Sequence, residues 1–204
     1  MDKANKQPMG RRERKRQFQL DHLADTAWRL FEAEGYDLVS MEHIAAVADV
    51  AKGTLYKHFP AKEALLRHRF HRELREGQAE LLQAASPVPA GRARLSSFLA
   101  ASADWSEGRR PYLLPYVKYR LAESNHPSHE EQRSGMGRVF EQLIGEGQSA
   151  GNIRSDIDAG VLAVYLEFLY LAALLRWLTG ATPDLRAELS RMLDVFLGGI
   201  EVRP

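Results

Sequence analysis

The chain has 204 residues, 45% of them hydrophobic and 27% charged, which is the composition of a folded protein with a substantial core. It contains no cysteine, and this excludes disulfides, thiolate zinc sites and cysteine-based redox sensing. The net charge of +1 is unevenly spread, because residues 1–75 carry 15 basic and 11 acidic side chains and the rest of the chain is net acidic. The N-terminal part is therefore the better candidate for binding a polyanion.

The first predicted helix covers residues 11–35, after ten polar residues that we expect to lack structure. Gly35 ends it, and its opening residues form the basic run Arg11 to Arg16. Its apolar positions recur at helical spacing: Leu20, Leu23, Ala24, Ala27, Leu30 and Phe31. The basic run has two compatible interpretations, a solvated helix start or an arm that lies on the DNA backbone or in a minor groove.

Two short amphipathic segments follow between Ser40 and Glu63, separated by a break at residues 49–51. Ser40 is placed to cap the first segment, whose apolar stripe begins at Ile44. The second segment covers residues 52–58 and turns Leu55 and Phe59 inward. Pro60 ends it, since proline has no N–H to donate. Two helices joined in this way predict a helix-turn-helix.

The outward side of the second short helix is rich in groups that donate hydrogen bonds to phosphates and base edges. These residues are Lys52, Thr54, Tyr56, Lys57 and His58.

The segment Gly53-Thr54-Leu55-Tyr56-Lys57-His58-Phe59, with Ile44-Ala45 before it and Lys62-Glu63 after it, resembles the DNA-binding domain of TetR-type transcriptional regulators. The resemblance covers about residues 12–68. It implies that Lys52, Gly53 and Thr54 lie in the major groove. It also implies that Tyr56, His58 and Lys62 contact mainly phosphates. The predicted DNA-binding set is Ser40, Lys52, Gly53, Thr54, Tyr56, Lys57, His58 and Lys62.

The turn departs from the family pattern at two positions. Asp49 and Ala51 stand where the family usually has glycine and serine, and His43 stands where an acidic residue would complete a capping box. Aspartate tolerates left-handed backbone, so we expect the turn to survive. Losing the serine cap costs about 1 kcal/mol.

Further helices are predicted near residues 61–84, 92–107, 111–123, 129–149, 159–178 and 184–199, with glycine and proline breaks between them. No alternation typical of strands is present. The predicted fold is all-α: an N-terminal three-helix helix-turn-helix domain (residues 11–60) joined to a larger C-terminal helical domain for effector binding and dimerisation (residues 61–204).

The segment 159–178 is apolar nearly all round. The length of this segment is nearly sufficient for a membrane span, but charged residues oppose that interpretation: Glu167 in the middle and Arg176 near the end. We therefore expect no membrane partner and a helix buried on both sides. The resemblance implies that the last two helices pair with those of a second copy in a homodimer. Leu193 is predicted to lie on the outer face of the terminal helix.

The resemblance also implies a small-molecule effector in the C-terminal body. Tyr112, Tyr116 and Tyr119 recur at i, i+4 and i+7 and place three aromatic rings on one helix face. The predicted ligand-binding set is Trp105, Tyr112, Tyr116, Tyr119, Tyr165 and Phe168. Ordinary core packing is the commoner explanation of such a stripe. Glu167 fits either a cationic ligand or, more commonly, an ion pair or hydrogen bond inside the bundle.

Neither a metal site nor a catalytic site is expected. His68 and His71, and His126 and His129 beside Glu130 and Glu131, are the only suggestive groups. Nucleophile elbows, phosphate-binding glycine loops and metalloprotease motifs are missing from the sequence, so no catalytic residue and no cofactor is predicted.

The sequence thus predicts a cytoplasmic, homodimeric regulator, more specifically a repressor, that binds double-stranded DNA at a palindrome. A small hydrophobic or aromatic inducer releases it. The alternative is a helical ligand-binding or interaction module with a weakened DNA-binding head. A third possibility, an α-helical enzyme, has little in its favour.

Overall fold

The computed structural model describes residues 10–123 and 135–198, and this part of the chain is helical with no strand. Its helices are α1 (Arg11–Glu34), α2 (Met41–Val47), α3 (Lys52–His58), α4 (Lys62–Ala85), α5 (Arg92–Glu107), α6 (Arg110–Glu123), α7 (Met136–Ser149), α8 (Ala159–Leu178) and α9 (Leu185–Gly198). The predicted all-α fold is confirmed. The predicted start of the seventh helix at residue 129, the break at 124–127 and residues 1–9 lie outside the described residues.

The helices form two compact units, residues 1–69 and residues 70–204. We call them the N-terminal and C-terminal units. The division falls inside α4, later in the chain than the boundary that the sequence predicts after residue 60.

The N-terminal unit is built on a small apolar core. Phe31 of α1, Ile44 of α2 and Leu55 of α3 are almost completely buried, as is Phe59 just after α3. These are the inward positions of the helical periodicity, and their burial is the main source of stability for such short helices. Gly35 ends α1 with a positive φ of 91°, which favours glycine.

The turn between α2 and α3 has the geometry expected from its sequence. The Ser40 hydroxyl oxygen caps α2 by accepting a hydrogen bond of 3.1 Å from the His43 backbone N–H. Asp49 adopts left-handed backbone with φ 52°. Ala51 stands at the N-cap of α3 and offers no side-chain hydrogen bond. One helix of the pair is therefore capped and the other is not.

The C-terminal unit packs the remaining helices around a second core. Phe98 of α5, Phe140 of α7 and Leu166 of α8 are buried there, and the Phe98 and Phe140 rings meet edge-on. Two ion pairs, Arg92 with Asp194 and Arg186 with Asp104, join α5 to α9.

Helix α8 has two different sides. Leu166, Tyr170 and Leu174 are buried, whereas Tyr165 and Phe168 on the other side are 60% and 48% exposed. Among the helices described, α8 is long and apolar enough to cross a membrane by length and composition alone, a property it shares with core helices of soluble proteins. The expectation of no membrane partner stays a prediction.

The prediction for Leu193 is wrong. This residue is 2% exposed and belongs to the core of its own subunit, together with Leu185 and Leu189. The large apolar residue that α9 exposes is Val195, which is 46% exposed. Periodicity gave the apolar face of α9 but not which structure covers it.

Candidate DNA-binding surface and ligand cavity

The surface of α3 combines a fixed inner side with an open outer side. Buried Leu55 anchors the helix, and Lys52, Gly53, Tyr56 and Lys57 are exposed. Thr54 and His58 are half-buried on the same helix. The structure therefore keeps four of the predicted DNA-binding residues of α3 accessible to a partner and two partly so.

A single carboxylate touches two of these residues. The Tyr56 hydroxyl donates to Glu42 Oε1 at 3.3 Å, and Lys52 Nζ lies 3.9 Å from the same oxygen. Loss of hydration and the adjacent Glu42 carboxylate raise the pKa of Tyr56, so its hydroxyl remains a donor. Glu42 thus contacts both the tyrosine and the lysine on the exposed side of the helix-turn-helix.

His58 stands at the last turn of α3 in a basic setting. Partial burial and the charges of Arg16 and Lys57 lower its pKa. The imidazole is therefore poised to gain charge when an anion approaches.

Gly53 has no internal role that requires glycine. A Cβ at this position would meet nothing within 4 Å, and the backbone is not left-handed. Glycine inside a helix costs about 1 kcal/mol relative to alanine. The open space above Gly53 is therefore suited to close approach by a partner.

Two members of the predicted DNA-binding set have partners inside the protein. Ser40 caps α2, as described. Lys62 Nζ donates to the Tyr36 carbonyl oxygen at 2.7 Å and lies 4.4 Å from the centre of the Tyr36 ring. The Tyr36 hydroxyl in turn donates to Glu63 at 2.7 Å. Ser40 and Lys62 thus have structural roles inside the protein, and their contact with DNA stays a prediction.

The basic run at the start of α1 is solvent-exposed from Arg11 to Arg16. Arg16 pairs with Glu13 at 3.0 Å, one turn earlier on the same helix. This geometry is compatible with both interpretations of the run.

The C-terminal unit contains a cavity of about 420 Å³, which is a usual size for a small-molecule site. Helices α4, α5, α6 and α8 supply most of its wall, and Met136 of α7 completes it. Much of the lining is apolar, from Phe70, Leu74, Leu81, Phe98, Leu113, Leu171 and Leu174.

The structure brings only two residues of the predicted ligand-binding set to this cavity, Trp105 and Tyr116. Tyr112 and Tyr119 are half-buried on α6 and do not line it. Tyr165 and Phe168 are not part of its wall, because they lie on the exposed side of α8. The interpretation of all six as one pocket is therefore wrong for this cavity.

The line of α6 that faces the cavity passes through Leu113, Tyr116 and Arg120. This i, i+3, i+7 row shares only Tyr116 with the tyrosine stripe, and its other members are one residue further along the helix. A shift of one residue rotates the side chain by about 100°. Arg120 is absent from the predicted set because the tyrosine spacing marks the aromatic rings of α6 and not the polar residues on the neighbouring face.

Three polar pairs interrupt the apolar lining. His71 Nε2 lies 3.1 Å from the Tyr116 hydroxyl, and the hydroxyls of Ser102 and Tyr170 lie 2.6 Å apart. Arg120 donates to Glu167 Oε1 at 3.3 Å. Burial raises the pKa of Tyr170, so its phenol stays neutral. Glu167 thus forms the ion pair that was one of its two interpretations, and the pair forms part of the cavity wall.

The histidines of α4 have separate partners. His68 Nε2 lies 2.7 Å from Asp21, whereas His71 contacts Tyr116. Across residues 10–123 and 135–198 there is no group of three or more metal-ligating side chains. His126 and His129 lie outside the described residues.

Comparison with known proteins gives consistent similarities. Residues 23–68 match the sequence profile described as bacterial regulatory proteins, tetR family. The chain is 30% identical to the HTH-type transcriptional repressor DhaR of a Mycobacterium species, over 76% of this chain and 80% of that protein. It is 28% identical to the HTH-type transcriptional repressor KstR of Mycolicibacterium smegmatis, over 89% and 88% of the two chains.

One solved structure with the same fold is Thermus thermophilus FadR, a TetR family transcriptional repressor in complex with lauroyl-CoA. The TM-score is 0.75, at 24% identity over 91% of this chain and 96% of that one.

Proposed function

We propose a function on the basis of family membership: this chain belongs to the TetR family of bacterial regulatory proteins. It is a DNA-binding transcriptional regulator of the helix-turn-helix class, and its named relatives are repressors. The specific proposal is a homodimer that binds a palindromic operator and leaves it when a small apolar effector occupies the C-terminal unit.

The observation that carries this proposal is the surface of α3. Its inner side is held by buried Leu55, and its outer side presents Lys52, Gly53 and Tyr56. A helix anchored in this way is able to enter a major groove without rearrangement. We assign Lys52, Gly53 and Thr54 to base edges, and Tyr56, Lys57 and His58 to phosphates. Lys62 and Ser40 support this surface through their contacts inside the protein, and their contact with DNA stays a prediction.

The homodimer is supported by the outer face of α8. Val161, Tyr165 and Phe168 recur at i, i+4 and i+7 and are each 45% exposed or more. With Val195 of α9 they make an apolar surface of the kind that seals against a second copy. A dimer with two recognition helices also contacts twice as many base pairs as one subunit does.

The effector is supported by the cavity. Its volume suits a small molecule, and its walls favour apolar area. Trp105 and Tyr116 supply aromatic surface there. The lauroyl-CoA complex of the Thermus relative makes an acyl chain one candidate class of ligand.

The proposal is tested by sequencing DNA fragments selected from a random pool by the purified protein. We expect one enriched motif with two-fold symmetry, and its absence from a selection with Lys52→Ala and Tyr56→Phe combined. Enrichment of no motif by a folded, dimeric protein would support the alternative, a helical module with a weakened DNA-binding head.

A further inference from the structure

We propose that the effector carries a neutral group that both donates and accepts a hydrogen bond, such as a hydroxyl, and that this group binds the Arg120–Glu167 pair. The inference rests on the proposed function, since it specifies the ligand of the same cavity. The inference concerns the polar head group of the effector, whereas the apolar walls of the cavity favour an apolar body.

The pair is buried in the wall of the cavity. Only 10% of the Arg120 side chain and 12% of the Glu167 side chain are exposed, and both residues line the cavity. Removing two charges from water is costly, and an apolar pair of similar volume would fill the space without that cost. A buried ion pair on a ligand-facing wall is therefore better explained by recognition than by stability.

The pair discriminates between head groups by charge. A carboxylate would accept from Arg120 but be repelled by the like charge of Glu167. An ammonium would donate to Glu167 but be repelled by the like charge of Arg120. A hydroxyl accepts from Arg120 and donates to Glu167 without repulsion from either. The pair thus selects a neutral donor–acceptor group.

The charged residues of the wall bear on whether an anion binds. The lining residues that the structure describes include three carboxylates, Glu73, Glu80 and Glu167, and one guanidinium, Arg120. Arg109 balances Glu73 at 3.1 Å. Glu80 is exposed to solvent, whereas Glu73 and Glu167 are each paired with an arginine. A carboxylate on the ligand would therefore compete with Glu167 for Arg120.

Gly137 of α7 leaves room for the Glu167 carboxylate. A Cβ on Gly137 would stand 2.9 Å from Glu167 Oε2. The carboxylate therefore lies closer to α7 than any other residue at 137 would permit. Gly137→Ala should displace the carboxylate while leaving both charges in place.

The test uses three probes with the same ten-carbon chain: decan-1-ol, decanoate and decylammonium, at neutral pH. Binding is measured by calorimetry and by the fluorescence of Trp105, and DNA release is measured separately. We expect the wild-type protein to bind decan-1-ol at least about tenfold more tightly than either ion.

Variants of the pair separate recognition from simple exclusion of charge by an apolar cavity. Glu167→Gln should raise decanoate affinity at least about tenfold, and Arg120→Met should do the same for decylammonium. Gly137→Ala should reduce the preference for the alcohol. The doubly substituted Arg120→Met/Glu167→Met protein loses both charges of the pair, so neither charge is left buried without the other. It should bind decan-1-ol at least about tenfold more weakly than the wild type.

Failure of the inference and failure of the proposed function give different results. Equal or tighter binding of decanoate by the wild type would overturn the inference, as would ion preferences that do not change in the variants. Failure of all three probes to bind would overturn it too. If decan-1-ol binds as expected but operator DNA is not released, the inference stands and effector-controlled DNA release is contradicted.

Discussion

Gly53 is the residue of α3 that packing within the protein does not explain. Its helical backbone would accept a side chain, and no atom lies within 4 Å of the position that a Cβ would occupy. An exposed helical glycine lowers stability, so its role is assigned to a partner that approaches the backbone closely.

We expect Gly53→Ala to raise the free energy of unfolding by up to about 1 kcal/mol, because alanine is the better helix former. The same change should weaken operator binding by about tenfold or more, because the methyl group occupies space needed by the DNA. Urea unfolding and fluorescence anisotropy with labelled operator measure the two effects. Gly77→Ala is the control for the helical glycine, since Gly77 is also helical with no atom near its Cβ position. Gly77 lines the cavity, so operator binding is compared without effector. We expect Gly77→Ala to leave operator affinity unchanged. If Gly53→Ala also leaves operator affinity unchanged, the DNA does not approach the backbone at Gly53.

We expect His58 to make operator binding depend on pH. Its pKa is lowered by partial burial, Arg16 and Lys57, so the free protein holds this imidazole neutral at neutral pH. Phosphates favour the imidazolium, which means that the pKa is higher in the complex and that binding takes up protons. The folding stability of the free protein depends on pH in the opposite direction. Because the pKa of His58 is lowered by folding, stability from this group is present above about pH 6.5 and is lost as the pH falls.

Operator affinity should therefore rise as the pH falls from about 7.5 to about 6 at constant ionic strength, and it should rise less in His58→Gln. The comparison with His58→Gln removes the contribution of the other histidines. Anisotropy titrations across this range give the slopes for both proteins. Parallel slopes would show that His58 does not gain a proton on binding.

At the scale of helices, the turn between α2 and α3 carries the clearest local cost. Ala51 caps α3 with no side-chain acceptor, whereas Ser40 caps α2. The backbone of Ala51 is extended, with φ −62° and ψ 140°, so a threonine or valine fits there.

We expect Ala51→Thr to be about 1 kcal/mol more stable than Ala51→Val, because the two side chains have the same shape and only threonine offers a cap oxygen. Urea unfolding of both variants and of the wild type gives this difference directly. Equal stabilities would mean that solvent already satisfies the first N–H groups of α3.

Much of the helical layout could be predicted from the sequence. Helix ends follow from local signals, such as Ser40 at a cap and Gly35 at a positive φ, and these signals act within a few residues. Leu55 and Phe59 are buried as the periodicity predicted. Local chemistry determines these features, so a single sequence contains them.

The cavity could not be predicted in the same way. Periodicity shows that Tyr116 and Leu193 lie on apolar faces but does not show whether a face meets the core, an empty cavity or a second subunit. Tyr116 lines the cavity, Leu193 is in the core and Phe168 is exposed. Only the packing of several helices together assigns these three environments.

At the scale of the whole molecule, we expect assembly into a homodimer to depend on the apolar residues exposed on α8 and α9. Tyr165 and Phe168 are 60% and 48% exposed, although they belong to the most apolar of the described helices. A glutamate there would be solvated in the isolated subunit but buried in a dimer, where an unpaired carboxylate is costly. The same substitution therefore separates assembly from folding, which Leu193→Glu would not do, since Leu193 is 2% exposed.

We expect Phe168→Glu to produce a monomer with the helical content of the wild type, because the side chain is 48% exposed in the subunit. Operator affinity should fall by more than about tenfold, because a monomer reads one half-site. Light scattering and circular dichroism measure mass and helix content, and anisotropy measures binding. Phe18→Glu is the matched control for assembly, since Phe18 is 76% exposed on α1 and lies outside the α8 surface. We expect the Phe18→Glu protein to have the mass of a dimer. A dimeric, folded Phe168→Glu protein would show that the subunits associate through another surface.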